Sequence, residues 1–294
     1  MAQNIPISNE ISEYLVENFG SEYYTKYLEY IHSEPNIYIR VSPIFNEPGE
    51  LATQLKRYGI EIEEVPNFPN AYRVLSGGEF ISKTIEYTTG RYYIQSLSSM
   101  VPPLILNPSC NDKVLDLCAA PGSKSSQIAE LMNNKGTLYV NESNLDRIKG
   151  LIFNLDKLNL VNVGAIKHKG ELLSKLFENY FDKILADVPC SGLGILQKKG
   201  EVSNWWNLST AERIAELQFR LLVSAVKMLK AGGELVYSTC TLTIEENELV
   251  LNKFLKKYPV EIIPIELPVK SNSALTQNKS EPLTKSTSDY SMGN

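Results

Sequence analysis

Short apolar runs alternate with helical patterns through the second part of the chain. Each run is long enough for one buried strand, and a candidate helix follows it. The runs are "KVLDLC" from Lys113, "GTLYVNE" from Gly136, "NVGAI" from Asn162, "FDKILAD" from Phe181 and "GELVYST" from Gly233. This alternation predicts a parallel sheet covered on both faces, which is a doubly wound, Rossmann-like α/β fold.

The first part of the chain has a different pattern. Residues 8–32 space apolar side chains as a helix does, with an interruption at Gly20. "IYIRVSPIF" then alternates like a strand, and "PGELATQLKRYGIEIEEV" reads as a helix that leads into another strand. We therefore predict a small α+β module over residues 1–99 and the doubly wound domain over residues 100–270. Residues 271–294 are rich in Ser, Thr, Asn and Lys, which predicts a loop or a disordered tail.

Three predicted helix starts carry the spacing of a capping box, in which a hydroxyl residue precedes an acidic one by three positions. The pairs are Ser143 with Asp146, Ser209 with Glu212, and Thr243 with Glu246. The last pair follows the fifth apolar run and predicts a helix that begins near Thr243.

The composition is that of an ordinary globular protein. Of the 294 residues, 43% are hydrophobic, which is enough for a sizeable core. No stretch approaches the roughly 18 apolar residues of a membrane span, and the amino-terminal residues lack the features of a signal peptide. We therefore expect a cytoplasmic protein. The four cysteines form no CxxC pair and only two histidines could join them, so we expect neither a metal site nor a disulfide framework.

The charge is acidic and uneven. The net charge of −5 argues against non-specific electrostatic binding of nucleic acid, which usually requires a basic patch. Residues 1–99 contain 7 Lys and Arg against 13 Asp and Glu, whereas the remainder contains 22 against 21. Any contact with RNA would therefore depend on local patches.

The loop after the first apolar run has the composition of a ligand-binding turn. It reads Cys118, Ala119, Ala120, Pro121, Gly122, Ser123, Lys124, and a helix pattern follows. Small residues let a ligand approach the backbone, and free N–H groups at a helix start favour a polar or anionic group. Glu142 ends the second run, twenty residues after Gly122, where a carboxylate would bind ribose hydroxyls. The pair predicts an adenosine-containing cofactor, although an ordinary α/β turn has similar features. Because "APGSK" is neither a dinucleotide nor a triphosphate loop, S-adenosylmethionine is favoured.

Two cysteines follow neighbouring strands of the predicted sheet. Asp187 ends the fourth run, a Pro-containing turn then presents Cys190, and Cys240 follows the fifth run. Ligands of open α/β sheets bind at the carboxyl ends of the strands, so in a methyltransferase-like winding these three residues should share a crevice. A thiol suits methylation at carbon 5 of cytosine, because addition of a thiolate to carbon 6 makes carbon 5 nucleophilic. A second acid or base must then release the enzyme, and two cysteines could divide the work. The alternative is that both cysteines are packing residues, as we expect for Cys118 in its core strand and for Cys110.

Five segments together resemble the Sun-type RNA cytosine-C5 methyltransferases, which modify ribosomal and transfer RNA. They are "YYIQSLSSM", "LDLCAAPGSK", "NESNLDR", "DVPCSG" and "LVYSTCTLTIEEN", and the match extends from about residue 35 to about residue 265. The resemblance implies that Cys240 is the nucleophile and that Cys190 assists breakdown of the covalent adduct. It also implies a structured RNA substrate held partly by the small module. It implies no membrane, no metal and no particular oligomer.

The resemblance also assigns the cofactor site. Residues 118–124 would line S-adenosylmethionine and Glu142 would bind its ribose. Asp187 would lie between the cofactor and the cytosine, with Lys124 close by. Arg147 would support the ribose side, and an ordinary exposed helix charge is the equally weighted alternative for it.

The sequence departs from the family pattern at several positions. Where the family has an Asp that accepts the adenine amino group, this chain has Lys169, whose ammonium group cannot accept a hydrogen bond. Ser96 replaces an acidic residue, and "GILQKKGE" follows the Pro-Cys turn in place of the usual basic residues. The sequence ends at "SMGN", where the family continues into a last strand. We therefore expect either a truncated carboxyl end or a missing strand.

Two other functions stay open at the level of sequence. One is a catalytically silent RNA-binding or assembly protein, which the acidic surface and Lys169 favour. The other is a methyltransferase that acts on an amino group or a protein side chain. Trp205 and Trp206 are compatible with stacking on an RNA base and with packing at a helix entry, and we favour packing.

Overall fold

A computed structural model describes residues 5–45, 49–273, 277–278, 281–282 and 291–292. Most of the residues for which the sequence predicts a loop or disordered tail, 271–294, lie outside the described ranges.

The described residues form helices both in the amino-terminal module and in the predicted α/β domain. They are α1 (Asn9–Phe19), α2 (Ser21–His32), α3 (Glu50–Lys56), α4 (Ile85–Thr88), α5 (Leu97–Leu106), α6 (Ser123–Leu131), α7 (Leu145–Lys157), α8 (Val202–Trp205), α9 (Leu208–Met228) and α10 (Glu248–Leu255). Short 3-10 helices cover Gly78–Phe80, Gly170–Lys175 and Leu193–Ile195.

The strands form one antiparallel and one parallel sheet of more than two strands. Their bounds are β1 (Tyr38–Val41), β2 (Glu61–Glu64), β3 (Ala71–Ser76), β4 (Tyr92–Ile94), β5 (Lys113–Asp116), β6 (Thr137–Asn141), β7 (Val163–Ile166), β8 (Phe181–Asp187) and β9 (Leu229–Ser238). Four strands of two residues each follow them: β10 (Asn272–Ser273), β11 (Gln277–Asn278), β12 (Glu281–Pro282) and β13 (Ser291–Met292).

The five predicted strands form the predicted parallel sheet. Its order is β7-β6-β5-β8-β9, and every neighbouring pair is parallel. Strand β5 lies at the centre, and Asp187 at the end of β8 is in register with Ser238 at the end of β9. The doubly wound fold is therefore confirmed, as is the expectation that the fourth and fifth strands are neighbours.

Helices cover both faces of the central strand β5, as its continuous apolar run requires. Val114 packs with Ile128 of α6 and Leu151 of α7, whereas the next residue, Leu115, packs in a separate cluster with Leu221 of α9. Successive side chains of a strand point to opposite faces, so helices on both sides are needed to cover β5. The second cluster also contains Leu173 of the 3-10 helix Gly170–Lys175.

The antiparallel sheet, of order β2-β3-β1-β4, precedes the parallel one along the chain. Arg40 of β1 extends from this sheet to α6 and binds residues along the length of that helix. It donates hydrogen bonds to Glu130 at 2.7 Å, to Ser126 Oγ at 2.8 Å and to the Ser123 carbonyl at 3.1 Å. The Arg40–Glu130 ion pair is almost fully buried, so it ties the antiparallel sheet to the helix that follows the ligand-binding loop.

Several details differ from the prediction. The connection after β7 is the 3-10 helix Gly170–Lys175 and not an α-helix. None of the three predicted capping boxes begins its helix, because an asparagine occupies the N-cap position of each of these helices. The N-cap residues are Asn144 for α7, Asn207 for α9 and Asn247 for α10.

Candidate active site

The two candidate thiols meet at the carboxyl edge of the parallel sheet. Cys190 lies three residues after β8 and Cys240 two residues after β9, and their Sγ atoms are 2.9 Å apart. The Cys240 N–H also donates to Cys190 Sγ at 3.2 Å. Cys240 is exposed and Cys190 is half-buried. The two loops therefore bring both sulfurs together, and the exposure of Cys240 does not favour the alternative that both are buried packing residues.

The geometry makes the two thiols chemically unequal. A hydrogen bond from Cys190 lowers the pKa of the Cys240 thiol, and the nearby Lys124 ammonium lowers it further against the opposing effect of burial. The same hydrogen bond, followed by burial, raises the pKa of Cys190. The directions of the two shifts favour the thiolate at Cys240 and the protonated thiol at Cys190.

A lysine and a carboxylate flank the thiol pair. Lys124 Nζ, in the first turn of α6, donates to Asp187 Oδ2 at 2.7 Å, and Ser238 Oγ donates to Asp187 Oδ1 at 2.8 Å. Both oxygens of Asp187 are thus held by residues from neighbouring elements. The carboxylate is fixed at the end of β8, between the predicted ligand-binding loop and the cysteines.

The predicted ligand-binding loop wraps tightly around the start of α6. Ala119 and Ala120 are buried, and the Gly122 N–H donates to the Ala119 carbonyl at 2.8 Å. Gly122 is the N-cap residue of α6 and has φ of +104°, a conformation that favours glycine. Pro121 is exposed and Ser123 is partly buried at the first helical position.

The prediction that Cys118 lies within the core strand is wrong, because β5 ends at Asp116. It occupies the following turn and is half-buried. Burial raises the pKa of the Cys118 thiol, and the nearby carboxylate of Asp116 adds to this effect. Cys118 is therefore a neutral lining residue.

Glu142 and Arg147 form a connected pair beside the loop. The buried Glu142 carboxylate accepts from the Asn144 N–H at 2.8 Å and pairs with Arg147 at 3.0 Å. Arg147 also donates to the Ala120 carbonyl at 2.7 Å. Arg147 is thus more than an ordinary surface charge, because it joins the end of β6 to the loop.

These groups fit a nucleoside that has vicinal hydroxyls. Glu142 supplies a carboxylate acceptor at a strand end, and the small residues Ala119 and Ala120 leave the backbone approachable. The start of α6 adds free N–H groups. The set therefore suits the ribose side of an adenosine-containing ligand.

Lys169 lies at the N-cap of the 3-10 helix after β7 and its side chain is exposed. Its carbonyl accepts from the Leu172 N–H, and His168 Nδ1 lies 3.0 Å from the same oxygen. No acidic side chain therefore occupies this position of the chain.

The two tryptophans have different environments. Trp206 is buried, meets Tyr14 edge to face at 5.3 Å and donates to Ser191 Oγ at 3.1 Å. The expected packing role is confirmed for Trp206. Trp205 is 45% exposed.

Sequence reasoning missed one buried residue below the thiols. Glu246 is fully buried and accepts hydrogen bonds from residues of both cysteine loops. The spacing of Glu246 from Thr243 predicted a helix cap, and this interpretation gave no indication that Glu246 contacts both cysteine loops.

Within the described ranges, no group of three or more His, Cys, Asp or Glu side chains could hold a metal ion. Nor does any described helix combine the length and apolar character that a bilayer crossing requires.

Comparisons with known proteins bear on the family and the fold. The family described as 16S rRNA methyltransferase RsmB/F matches residues 103–289. Family and fold together imply a methyl donor.

Two curated relatives differ in length. The 26S rRNA (cytosine-C(5))-methyltransferase nsun-1 of Caenorhabditis elegans is 36% identical over 82% of this chain and 38% of its own length. The tRNA (cytosine(49)-C(5))-methyltransferase of Pyrococcus abyssi is 33% identical over 91% of this chain and 86% of its own length. The chain thus spans well under half of the nematode relative and most of the archaeal one.

A solved structure has the same fold. The methyltransferase homolog protein from Pyrococcus horikoshii is 30% identical, covers 97% of this chain and 89% of its own, and superimposes with a TM-score of 0.84.

Proposed function

Because the chain belongs to the 16S rRNA methyltransferase RsmB/F family, we propose that it transfers a methyl group from S-adenosylmethionine to carbon 5 of a cytosine in RNA. The observation that carries the proposal is the pair of sulfurs, 2.9 Å apart, at the carboxyl ends of two neighbouring strands. The substrate is a structured ribosomal or transfer RNA, the classes on which the relatives' names state that they act.

Residues 118–124 and Glu142 hold the cofactor, and Arg147 keeps Glu142 and the loop together. When bound there, S-adenosylmethionine supplies an electrophilic methyl group. Lys124 and Asp187, which are paired at 2.7 Å, lie between this loop and the cysteines, where they orient the cytosine. The target base must leave its stack to reach them.

Cys240 begins the reaction. Its thiolate adds to carbon 6 of the cytosine, and the electron pair of the 5,6 double bond makes carbon 5 nucleophilic. The Cys190 proton stabilises the thiolate before addition, and Lys124 contributes positive charge.

Cys190 ends the reaction. Once Cys240 is bonded to carbon, the hydrogen bond that raises the pKa of Cys190 is gone, so Cys190 releases its proton to solvent water more easily. The Cys190 thiolate then removes the proton from carbon 5. The electrons of that C–H bond restore the double bond and expel the Cys240 sulfur.

We assign residues 1–99 as a module that positions the RNA. The buried Arg40 contacts support this role, because they fix the antiparallel sheet against α6, the helix that follows the loop. RNA held on that sheet would therefore have a defined distance to the cofactor loop.

Methyl transfer to transcripts of tRNA and small-subunit rRNA tests the proposal. We expect Cys240→Ala to abolish transfer of labelled methyl groups. We expect Cys190→Ala to accumulate a protein–RNA species that survives denaturant, because the adduct forms but is not released. Cys110→Ala is the control and should retain activity, since Cys110 is exposed and does not contact the pair.

Full activity of Cys240→Ala would contradict the mechanism. Failure of the wild-type protein to bind S-adenosylmethionine in calorimetry would instead favour a silent RNA-binding protein.

A further inference from the structure

A buried carboxylate lies beneath the two cysteines. Glu246 has no exposed surface, and four donors reach its two oxygens. Oε1 accepts from the Ser191 N–H at 2.8 Å and from Gln218 Nε2 at 3.0 Å. Oε2 accepts from Thr243 Oγ1 at 2.6 Å and from the Ser191 hydroxyl. Both oxygens therefore act as hydrogen-bond acceptors.

These donors come from both cysteine loops. Ser191 directly follows Cys190, and its backbone and side chain both bind Glu246. Thr243 lies three residues after Cys240. Ser191 Oγ also lies 2.9 Å from Thr241 Oγ1, which directly follows Cys240. One carboxylate thus links the two segments that carry the sulfurs.

The carboxylate is in turn held by the helix layer. Gln218 of α9 donates both to Glu246 and to the Pro189 carbonyl, the latter at 2.9 Å, so it also fixes the residue before Cys190. Tyr237 of β9 donates to the Glu246 carbonyl at 2.6 Å. Strand, helix and both loops therefore converge on Glu246.

No Lys or Arg pairs with Glu246 among the described residues. Burial of a carboxylate without a cation is costly, and charge-assisted hydrogen bonds must offset that cost. The charge itself does not help to form a thiolate, since Glu246 raises the pKa of both Cys190 and Cys240. Its contribution to the thiol pair must therefore be geometric.

We propose that Glu246 is a positioning residue that sets the distance between the Cys190 and Cys240 sulfurs. The inference rests on the proposed function for its biological meaning, but the distance between the sulfurs can be tested without RNA.

Equilibration with glutathione measures how closely the two sulfurs are held. Oxidised glutathione takes two electrons from the pair, a Cys190–Cys240 bond forms, and two molecules of reduced glutathione carry away the thiol protons. We call the fraction of protein that contains the Cys190–Cys240 disulfide the extent of closure, and mass spectrometry measures it. This fraction reports the effective concentration of one sulfur at the other. We expect Glu246→Gln to reduce closure about tenfold or more, because an amide N–H₂ cannot accept from the donors around it.

The neighbouring glutamate provides a matched control. Glu245 receives the Tyr14 hydroxyl at 2.6 Å and does not contact either cysteine loop through its carboxylate in the described structure. Glu245→Gln makes the same chemical change one residue away, and we expect closure at the wild-type level.

The second readout is methylation. We expect Glu246→Gln to lower the methyl-transfer rate about tenfold to a hundredfold while the dissociation constant of S-adenosylmethionine stays unchanged. A protein that does not methylate RNA refutes the proposed function, whereas the glutathione equilibrium still decides whether Glu246 sets the sulfur distance.

Wild-type closure no greater than that of Glu246→Gln overturns the inference, as does an equal loss in Glu245→Gln. If Glu246→Gln does not fold, Ser191→Ala replaces it, because this change removes the hydroxyl that joins the carboxylate to Thr241 and that also accepts from Trp206, and leaves the Ser191 N–H in place. Wild-type closure and transfer in Ser191→Ala would then overturn the inference.

Discussion

The reactivity of the thiol pair depends on a single shared proton. Cys190→Ala removes the hydrogen bond that lowers the pKa of Cys240, so we predict that this pKa rises. The rate of Cys240 alkylation by iodoacetamide, followed as a function of pH, measures the change. The midpoint should move to higher pH in Cys190→Ala and stay fixed in Cys110→Ala. A midpoint that moves to lower pH would show that Cys190 does not donate to Cys240.

A second residue with an altered titration lies at the end of β5. Burial raises the pKa of Asp116 to about 7, with a further effect of Asp187, against the opposing hydrogen bond from Ser125 at 2.6 Å. A raised pKa means that the folded state holds the proton more tightly. The associated stability is present below the ordinary pKa of Asp and is lost as the pH rises through about 7.

We therefore predict that Asp116→Asn gains stability relative to the wild type as the pH rises. The change in relative free energy of unfolding should be on the order of 3 kcal/mol between about pH 5 and about pH 9. Thermal unfolding over this pH series is the measurement. Asp146→Asn makes the same chemical change at an exposed helix position and is the control for the substitution itself. A constant difference between Asp116→Asn and wild type would refute the assignment.

At the scale of elements, the carboxyl end of β7 carries the clearest departure from the family. Lys169 stands where an acidic side chain would accept the adenine amino group. We predict that Lys169→Asp tightens S-adenosylmethionine binding by about twofold to tenfold, the usual range for one added hydrogen bond.

Calorimetry measures this affinity. Lys167→Asp makes the same change of charge at an exposed position two residues earlier, and it should leave affinity unchanged. Equal tightening in both variants would point to net charge and not to a specific hydrogen bond.

Elements with strong periodicity could be predicted from the sequence, but local caps could not. The five apolar runs form strands because their successive side chains are apolar, which favours a sheet that helices cover on both faces. The Thr243–Glu246 spacing predicts a cap, and the two side chains do meet at 2.6 Å, yet α10 begins at Glu248. The tertiary contacts of Glu246 with Ser191 and Gln218 outweigh the local preference, and a single sequence does not reveal them.

The approach of the two cysteines was predictable, whereas other features of the site were not. The approach of Cys190 and Cys240 follows from the strand order, which the winding of the sheet determines. The partners of Arg147 and the position of Glu246 depend on side-chain orientations at loop ends. Helix α5 contains Pro102 and Pro103, and no periodic pattern predicted it.

At the scale of the whole molecule, Arg40 connects the two sheets. Loss of one partner from a buried ion pair leaves an uncompensated charge, so Arg40→Met should lower the free energy of unfolding by about 3 to 5 kcal/mol. Denaturant unfolding measures this loss. Arg73→Met, in the exposed pair with Glu63, should cost less than about 1 kcal/mol. Equal effects of the two variants would mean that Arg40 does not hold the molecule together.

The central claim is that the Cys240 sulfur bonds to a cytosine. Fluorine at carbon 5 cannot leave as a proton does, so RNA that contains 5-fluorocytidine should trap the adduct once a methyl group has been transferred. The decisive measurement is mass spectrometry of the digested wild-type protein after reaction with such RNA and S-adenosylmethionine. The account predicts a methylated fluoropyrimidine nucleotide on the peptide that contains Cys240. A nucleotide on Cys190, or methylated RNA without any bond to the protein, would contradict it.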